Sequence, residues 1–177
     1  MATVKFFLGV ACFTAGSGSM QSERDLITRR AGVVKRATDE IGVREATGRN
    51  DGKRVIQYLA AVKLKSPEPW CAAFVSWVYL NEGFTAPQSG WSPDLFPKSR
   101  LARSALAGNV LGIYFADKKR IAHVGLITAV NGSWITSVEG NTNVSGSREG
   151  DGVYRKLRHI RTIYQMSDWI RPFETLL

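Results

Sequence analysis

Apolar and polar residues follow different patterns in the two halves of the chain. In residues 22–41 the apolar positions recur every three or four residues, which is the spacing of one face of a helix. Those positions are Leu26, Ile27, Ala31, Val34, Ala37 and Ile41. The pattern predicts a first helix that ends at Gly42, and similar spacing predicts a second helix over about 52–63.

A third helix is predicted from about Trp70 or Cys71 to about Asn81. Pro67 and Pro69 prevent a helix from running in from upstream, because proline lacks an N–H and restricts the residue before it. The predicted helix is apolar almost all round, which is typical of a helix buried on every side.

The second half of the chain is rich in β-branched and aromatic residues separated by turn residues. Strands are predicted over 110–115, 121–130, 134–138, 152–157 and 160–166. The proline-containing stretch 84–98 is expected to form an irregular surface loop, and a short helix is considered near 99–106. Helices first and strands second favour an α+β fold, with N-terminal helices packed on a C-terminal antiparallel sheet.

Length and charge narrow the class of protein. The chain has 177 residues, 44% of them hydrophobic and 22% charged, which suits a globular domain with its own core. Its net charge of +9 favours polyanions such as an anionic cell-wall polymer. The cations are scattered and not interleaved with stacking aromatic residues, so nucleic acid is not expected as a partner.

Residues 1–19 are set apart from a single catalytic domain over residues 20–177. A short apolar stretch after Lys5 is followed by small residues, which is the layout of a secretory signal. Cys12 lies in that stretch, and its removal would leave Cys71 as the one cysteine, with no internal disulfide. A lipoprotein signal and an added leader before Met20 are the alternatives. The secretory interpretation predicts an exported protein, periplasmic or extracellular, and no apolar run reaches the roughly 18 residues of a membrane span.

Cys71 is a candidate nucleophile because it begins the third predicted helix. Free N–H groups and the positive end of a helix dipole favour a thiolate over a thiol. Taken by itself, Cys71 could equally be a small buried apolar residue.

Of the two histidines, His123 suits a catalytic role better than His159. His159 lies among cations that disfavour a protonated imidazole, so a structural role is expected for it. His123 begins a predicted strand, and Gly125 points to the same face two residues later. A glycine inside a strand often marks a place where another group approaches closely.

An acceptor for His123 is predicted on the next strand. A three-residue loop over residues 130–132 would place Glu139 directly across from His123, with Asn141 one diagonal step away. A two-residue turn would place Glu139 on the opposite face, so the three-residue loop is the prediction. Glu139 would then fix the tautomer of His123 and support its imidazolium.

Three motifs together resemble the CHAP domain, the cysteine, histidine-dependent amidohydrolase/peptidase. They are Trp-Cys-Ala-Ala-Phe-Val-Ser-Trp at 70–77, His-Val-Gly at 123–125 and Glu-Gly-Asn-Thr at 139–142, and the resemblance covers roughly residues 30–171. It implies a papain-like α+β fold that hydrolyses amide bonds in peptidoglycan, with no metal or organic cofactor. Cys71 is implied as nucleophile, His123 as base and then acid, and Glu139 with Asn141 as the orienting position.

The resemblance leaves the role and the cleaved bond open. An N-acetylmuramoyl-L-alanine amidase and a wall-peptide endopeptidase both fit, as do a lysin and an antibacterial effector that would need an immunity protein. Many members carry Gly-Asp where this chain has Gly108 and Asn109, which bears on a local loop and not on the mechanism. A non-catalytic wall-binding module and a papain-like protease or acyltransferase acting on protein are the other classes considered. A monomer is expected.

Overall fold

The computed structural model describes residues 16–144 and 150–172. Its helices are α1 (Gly16–Asp39), α2 (Lys53–Ala61) and α3 (Cys71–Asn81), with short 3₁₀ turns at Ser92–Leu95, Lys98–Arg100 and Ile160–Thr162. Its strands are β1 (Val110–Phe115), β2 (Arg120–Asn131), β3 (Trp134–Thr142), β4 (Gly152–His159) and β5 (Gln165–Ser167). The described strands form one antiparallel sheet in the order β4-β3-β2-β1-β5.

The predicted α+β fold class is confirmed, with helices before a sheet. All three predicted helices are present within a few residues of the predicted bounds, although α1 begins at Gly16, inside the segment that was set apart as a leader. Cys12 and the apolar stretch around it lie outside the described residues. Within the described residues, no helix combines the length and the apolar character needed to cross a membrane.

Two segments of the second half differ from the elements considered for them. No helix forms over 99–106, where the chain has only the 3₁₀ turn at Lys98–Arg100. The predicted strand 160–166 is instead the 3₁₀ turn Ile160–Thr162 followed by the short β5. The segment's apolar side chains are explained by packing, because Ile163 and Met166 lie against a small core of Leu111, Ile127 and Ile135.

Helix α3 lies at the centre of the main core. Each residue from Cys71 to Tyr79 is buried, as the nearly uniform apolar sequence predicted. The ring of Tyr58 from α2 stacks on Trp70 with centroids 5.5 Å apart and meets Phe74 edge-on at 5.3 Å. Truncating a buried aromatic residue such as Phe74 to alanine costs about 3–5 kcal/mol, so this packing fixes where α3 begins.

A carboxylate at the end of α1 ties that helix to α2. Glu40, 5% exposed, accepts hydrogen bonds from Nε of Arg54 at 2.7 Å and from the Tyr58 hydroxyl at 2.5 Å, and Arg54 Nη2 bonds its other oxygen. Burial alone would raise the pKa of Glu40, but the bonds from Arg54 and Tyr58 lower it. The carboxylate is therefore ionised and paired inside the helical layer.

The hairpin between β2 and β3 differs from the predicted one. The three-residue loop ending at Gly132 is wrong, because Asn131 pairs with Trp134 and leaves a two-residue loop between them. Gly132 does adopt a left-handed conformation, with φ of 56°. With this loop and regular strands, Glu139 would point to the opposite face from His123.

A β-bulge at Thr128 restores the required parity. The register of β2 against β3 shifts at this residue, and its hydroxyl donates to the carbonyl of Thr136 at 3.2 Å. Beyond the bulge, the register places Glu139 over Gly125, on the same face as His123. The extra residue that the prediction put in the loop therefore lies inside the strand.

Candidate active site

Cys71 is the first residue of α3, and its side chain is nearly buried, with 7% of the residue exposed. The preceding Trp70 is anchored by a hydrogen bond from its indole Nε1 to Oε1 of Glu45 at 2.8 Å. The sulfur of Cys71 lies 3.6 Å from the hydroxyl oxygen of Ser92. The thiol therefore lies where the start of α3 meets the Ser92 turn.

His123 joins Cys71 to the sheet. Its Nε2 lies 2.8 Å from Oε2 of Glu139, and its side chain is 12% exposed. The imidazole is also close enough to Cys71 for each group to shift the pKa of the other. Because Nε2 is occupied by Glu139, Nδ1 is the ring nitrogen available to Cys71.

Gly125 provides the space in which Glu139 reaches His123. A Cβ atom on this glycine would lie 2.4 Å from Cγ of Glu139, far inside contact distance. The close approach that the sequence suggested at Gly125 is therefore present, and the approaching group is the Glu139 side chain.

Glu139 is fully buried, and in the described structure its carboxylate is hydrogen-bonded by the side chains of Ser137, Arg158 and His123. Ser137 Oγ donates to Oε1 at 2.6 Å, and Arg158 donates from Nε to Oε1 at 2.6 Å and from Nη2 to Oε2 at 2.5 Å. With His123 on Oε2, both oxygens accept two hydrogen bonds. A buried carboxylate with this many donors is stabilised in its charged form.

The buried groups shift each other's pKa values. Burial alone would raise the pKa of the Cys71 thiol, but the hydrogen bond and charge of His123 lower it. Burial would lower the pKa of His123, yet its bonds with Cys71 and Glu139 raise it to about 9. Burial would raise the pKa of Glu139, but Arg158 and His123 hold it far below its usual range. These shifts favour the thiolate–imidazolium pair over the neutral pair.

Asn141 does not take the orienting position beside His123. It follows a register shift in β3, has a left-handed φ of 51°, and makes no hydrogen bond to His123 within the described residues. Glu139 and not Asn141 therefore supplies the side-chain hydrogen bond to His123 among the described residues.

Sequence reasoning missed three residues that touch this set: Ser92, Ser137 and Arg158. Arg158 was placed only among the cations around His159. The pairing of β3 with β4 could have pointed to Arg158. Glu139 pairs with Tyr154 and Ile135 pairs with Arg158, so all four side chains lie on the same face of the sheet. His159 itself has the expected structural role, accepting the N–H of Arg161 at 3.2 Å.

No cluster of three or more histidine, cysteine, aspartate or glutamate side chains able to hold a metal ion occurs in residues 16–144 and 150–172. The chemistry that the described site can perform with its own side chains is nucleophilic attack by a thiolate, followed by proton transfer through an oriented imidazole.

No protein-family model and no curated protein sequence matches the chain. Among solved structures, the peptidoglycan hydrolase RipB from Mycobacterium tuberculosis aligns with a TM-score of 0.52 and 15% identity, over 90% of this chain and 74% of RipB. The NlpC/p60 domain of the peptidoglycan hydrolase SagA aligns with a TM-score of 0.45 and 19% identity, over 78% of this chain and 97% of that domain. Ly7917 aligns with a TM-score of 0.47 and 14% identity, over 80% of this chain and 62% of that protein.

The alignment with RipB shows that the chain has the predicted papain-like α+β fold. Because no family model matches, the assignment to the CHAP branch stays a prediction.

Proposed function

We propose that this protein is a cysteine-dependent peptidoglycan amide hydrolase, with Cys71 as nucleophile and His123 as acid and base. The observation that carries the proposal is a histidine held by a buried, fully hydrogen-bonded carboxylate, whose charge lowers the pKa of a cysteine at the start of a helix. Glu139 is the positioning residue for His123. Asn141, for which the resemblance implies an orienting role, is left out because it does not contact His123 among the described residues.

The reaction is an acyl transfer in two steps. The Cys71 thiolate attacks the substrate carbonyl, and the free N–H groups at the start of α3 stabilise the oxyanion. The His123 imidazolium gives its Nδ1 proton to the leaving amine, which departs and leaves a thioester on Cys71. Neutral His123 then takes a proton from water, hydroxide attacks the thioester, and the thiolate and a carboxylic acid are released.

Peptidoglycan is proposed as substrate on two grounds. RipB, which shares the fold, is described as a peptidoglycan hydrolase. The net charge of +9 would draw the enzyme to anionic wall polymer. Such a substrate places the protein outside the cytoplasm, so we also propose that residues 1–19 direct export and that residues 20–177 form one catalytic domain.

The bond cleaved is either the sugar–peptide amide or an amide within the wall peptide. A lysin role and an antibacterial-effector role both follow from the same chemistry. An effector would require an immunity protein in the producing cell, so co-purification of an inhibitory partner separates the two roles.

Digestion of purified peptidoglycan by the wild type and by Cys71→Ala tests the proposal, with mass analysis of the released fragments. New free amino termini with the wild type alone are the expected result, and the fragment masses identify the bond. If neither protein releases fragments while both sediment with the wall, the protein is a binding module. If neither releases fragments nor sediments, the substrate is a protein.

A further inference from the structure

The carboxylate that holds His123 is itself held by one arginine. Arg158 on β4 donates to both oxygens of Glu139, at 2.6 and 2.5 Å, and its side chain is 23% exposed. The carboxylate between them has no exposed surface. The planar fork of a guanidinium matches a carboxylate at two points, which a lysine ammonium cannot do.

The strand register shows that the Arg158 side chain must reach far along the sheet to make this contact. Arg158 pairs with Ile135, whereas Glu139 pairs with Tyr154, four residues further along each strand. The Arg158 side chain therefore extends along the face of the sheet to reach Glu139, passing the pair of Ser137 and Lys156. Lys156 directs its ammonium elsewhere, to the carbonyl of Asn143 at 2.6 Å. Arg158 is thus the cation that reaches the carboxylate from β4.

Four ionisable groups from four elements form a row in which hydrogen bonds join Arg158 to Glu139 and Glu139 to His123, and His123 and Cys71 shift each other's pKa. They are Cys71 from α3, His123 from β2, Glu139 from β3 and Arg158 from β4. The hydroxyls of Ser92 and Ser137 contact the row without adding charge. With a thiolate and an imidazolium, the charges alternate in sign and sum to zero.

We propose that Arg158 is a positioning residue that completes this neutral row, keeping Glu139 ionised and aimed at Nε2 of His123 and so setting the protonation state of Cys71. The proposal deepens the proposed function and rests on it for the roles of Cys71 and His123.

Removing the charge of Arg158 would leave a net negative charge in a buried site. Burying an uncompensated charge is strongly unfavourable, so the row takes up one proton. The thiolate is the most basic of the anions, since the ordinary pKa is 9.0 for Cys71 and 4.5 for Glu139. We therefore expect the proton on Cys71, and thiolate formation then requires a higher pH.

The rate of Cys71 alkylation by iodoacetamide, measured against pH, tests this directly. For Arg158→Gln the midpoint of thiolate formation should rise, by less than the roughly one to three pH units that a charge in direct contact produces, because Arg158 acts on Cys71 through Glu139 and His123. Arg158→Lys keeps the charge without the fork, so its midpoint should lie between those of the wild type and Arg158→Gln. If Arg158→Gln does not fold by circular dichroism, a midpoint for Arg158→Lys displaced upward from the wild type supports the proposal, and an unchanged one overturns it.

Arg54→Gln is the matched control, because it removes the same two-point contact from Glu40 in the helical layer. It should lower the melting temperature and leave the alkylation midpoint unchanged. A folded Arg158→Gln with the wild-type midpoint, or with a lower one, overturns the proposal. An ordinary thiol midpoint in the wild type would instead contradict the proposed mechanism, so the two failures are distinguishable.

Discussion

Two buried carboxylates in the described structure are each held by two atoms of an arginine, and they differ in their third partner. Glu40 is held by Arg54 and also accepts the hydroxyl of Tyr58. Glu139 is held by Arg158 and also contacts His123. Glu139 also accepts the hydroxyl of Ser137, so the chemical difference between the two sites is the titratable histidine beside Glu139.

The third partner decides whether the pair is structural or part of the chemistry. Burial and the contact with Glu40 raise the pKa of Tyr58 far above any working pH, so its hydroxyl only donates and never changes charge. His123 has a pKa raised to about 9 and exchanges its proton during the proposed reaction. Under the proposed mechanism, the ion pair at Glu139 takes part in the chemistry because a titratable histidine is attached to it.

Replacing each glutamate by glutamine should show the largest difference between the two carboxylates. Glu139→Gln keeps the shape but removes the charge that orients His123, and loss of such a group lowers kcat about 10⁴-fold in the Ser-His-Asp enzymes. Glu40→Gln should leave kcat within a few-fold of the wild type and lower the free energy of unfolding by about 1–3 kcal/mol. Turnover on peptidoglycan and urea unfolding of both variants measure this. Equal loss of turnover in both would contradict the distinction.

A smaller loss of turnover is expected for Gly125→Ala, which obstructs the Glu139 side chain and leaves both arginine–carboxylate pairs unmutated. The new methyl of Gly125→Ala would meet Cγ of Glu139 and displace the carboxylate from His123. A displacement of about 1 Å can cost about 10²-fold in rate. Gly132→Ala is the control, since its Cβ would meet nothing within 4 Å, and its positive φ makes the turn strained without affecting the site. Wild-type turnover by a folded Gly125→Ala would refute the steric argument.

The smallest expected effect is on the pH profile. The active ion pair is present above the lowered pKa of Cys71 and below the pKa of about 9 for His123. The value of kcat/KM should therefore fall about tenfold per pH unit above that pKa. The same shift makes His123 stabilise the fold fully below its ordinary pKa of 6.5, a contribution lost as the pH rises through about 9. Glu40→Gln should keep this alkaline limb, and a limb near 6.5 in the wild type would show that His123 is not held by Glu139.

Features governed by neighbouring residues could be predicted from the sequence. Pro67 and Pro69 fix where α3 can start, and the predicted Cys71 start is the observed one. The contact between His123 and Glu139 was also predicted, although Glu139 lies across from Gly125 and not directly across from His123 as predicted. These inferences needed only local chemistry and side-chain parity.

Features that depend on contacts between residues distant in the sequence could not be predicted. One extra residue corrects the parity of a hairpin whether it lies in the loop or in the strand, and the prediction chose the loop where the structure uses Thr128. Arg158 was missed because it reaches Glu139 from four residue pairs away on a third strand. Asn141 follows a register shift in β3, which the sequence does not reveal, and no hydrogen bond joins it to His123 among the described residues.

The bulge at Thr128 constrains how this hairpin can change length over evolution. Losing that one residue would turn the part of β2 that carries His123 over by half a rotation and point its imidazole away from Glu139. A deletion at Thr128 is therefore tolerated only together with an insertion nearby, such as one extra residue in the loop after Asn131. Between His123 and Glu139, homologous hairpins should therefore differ in length by an even number of residues. A deletion of one residue should occur only with an insertion of one residue nearby.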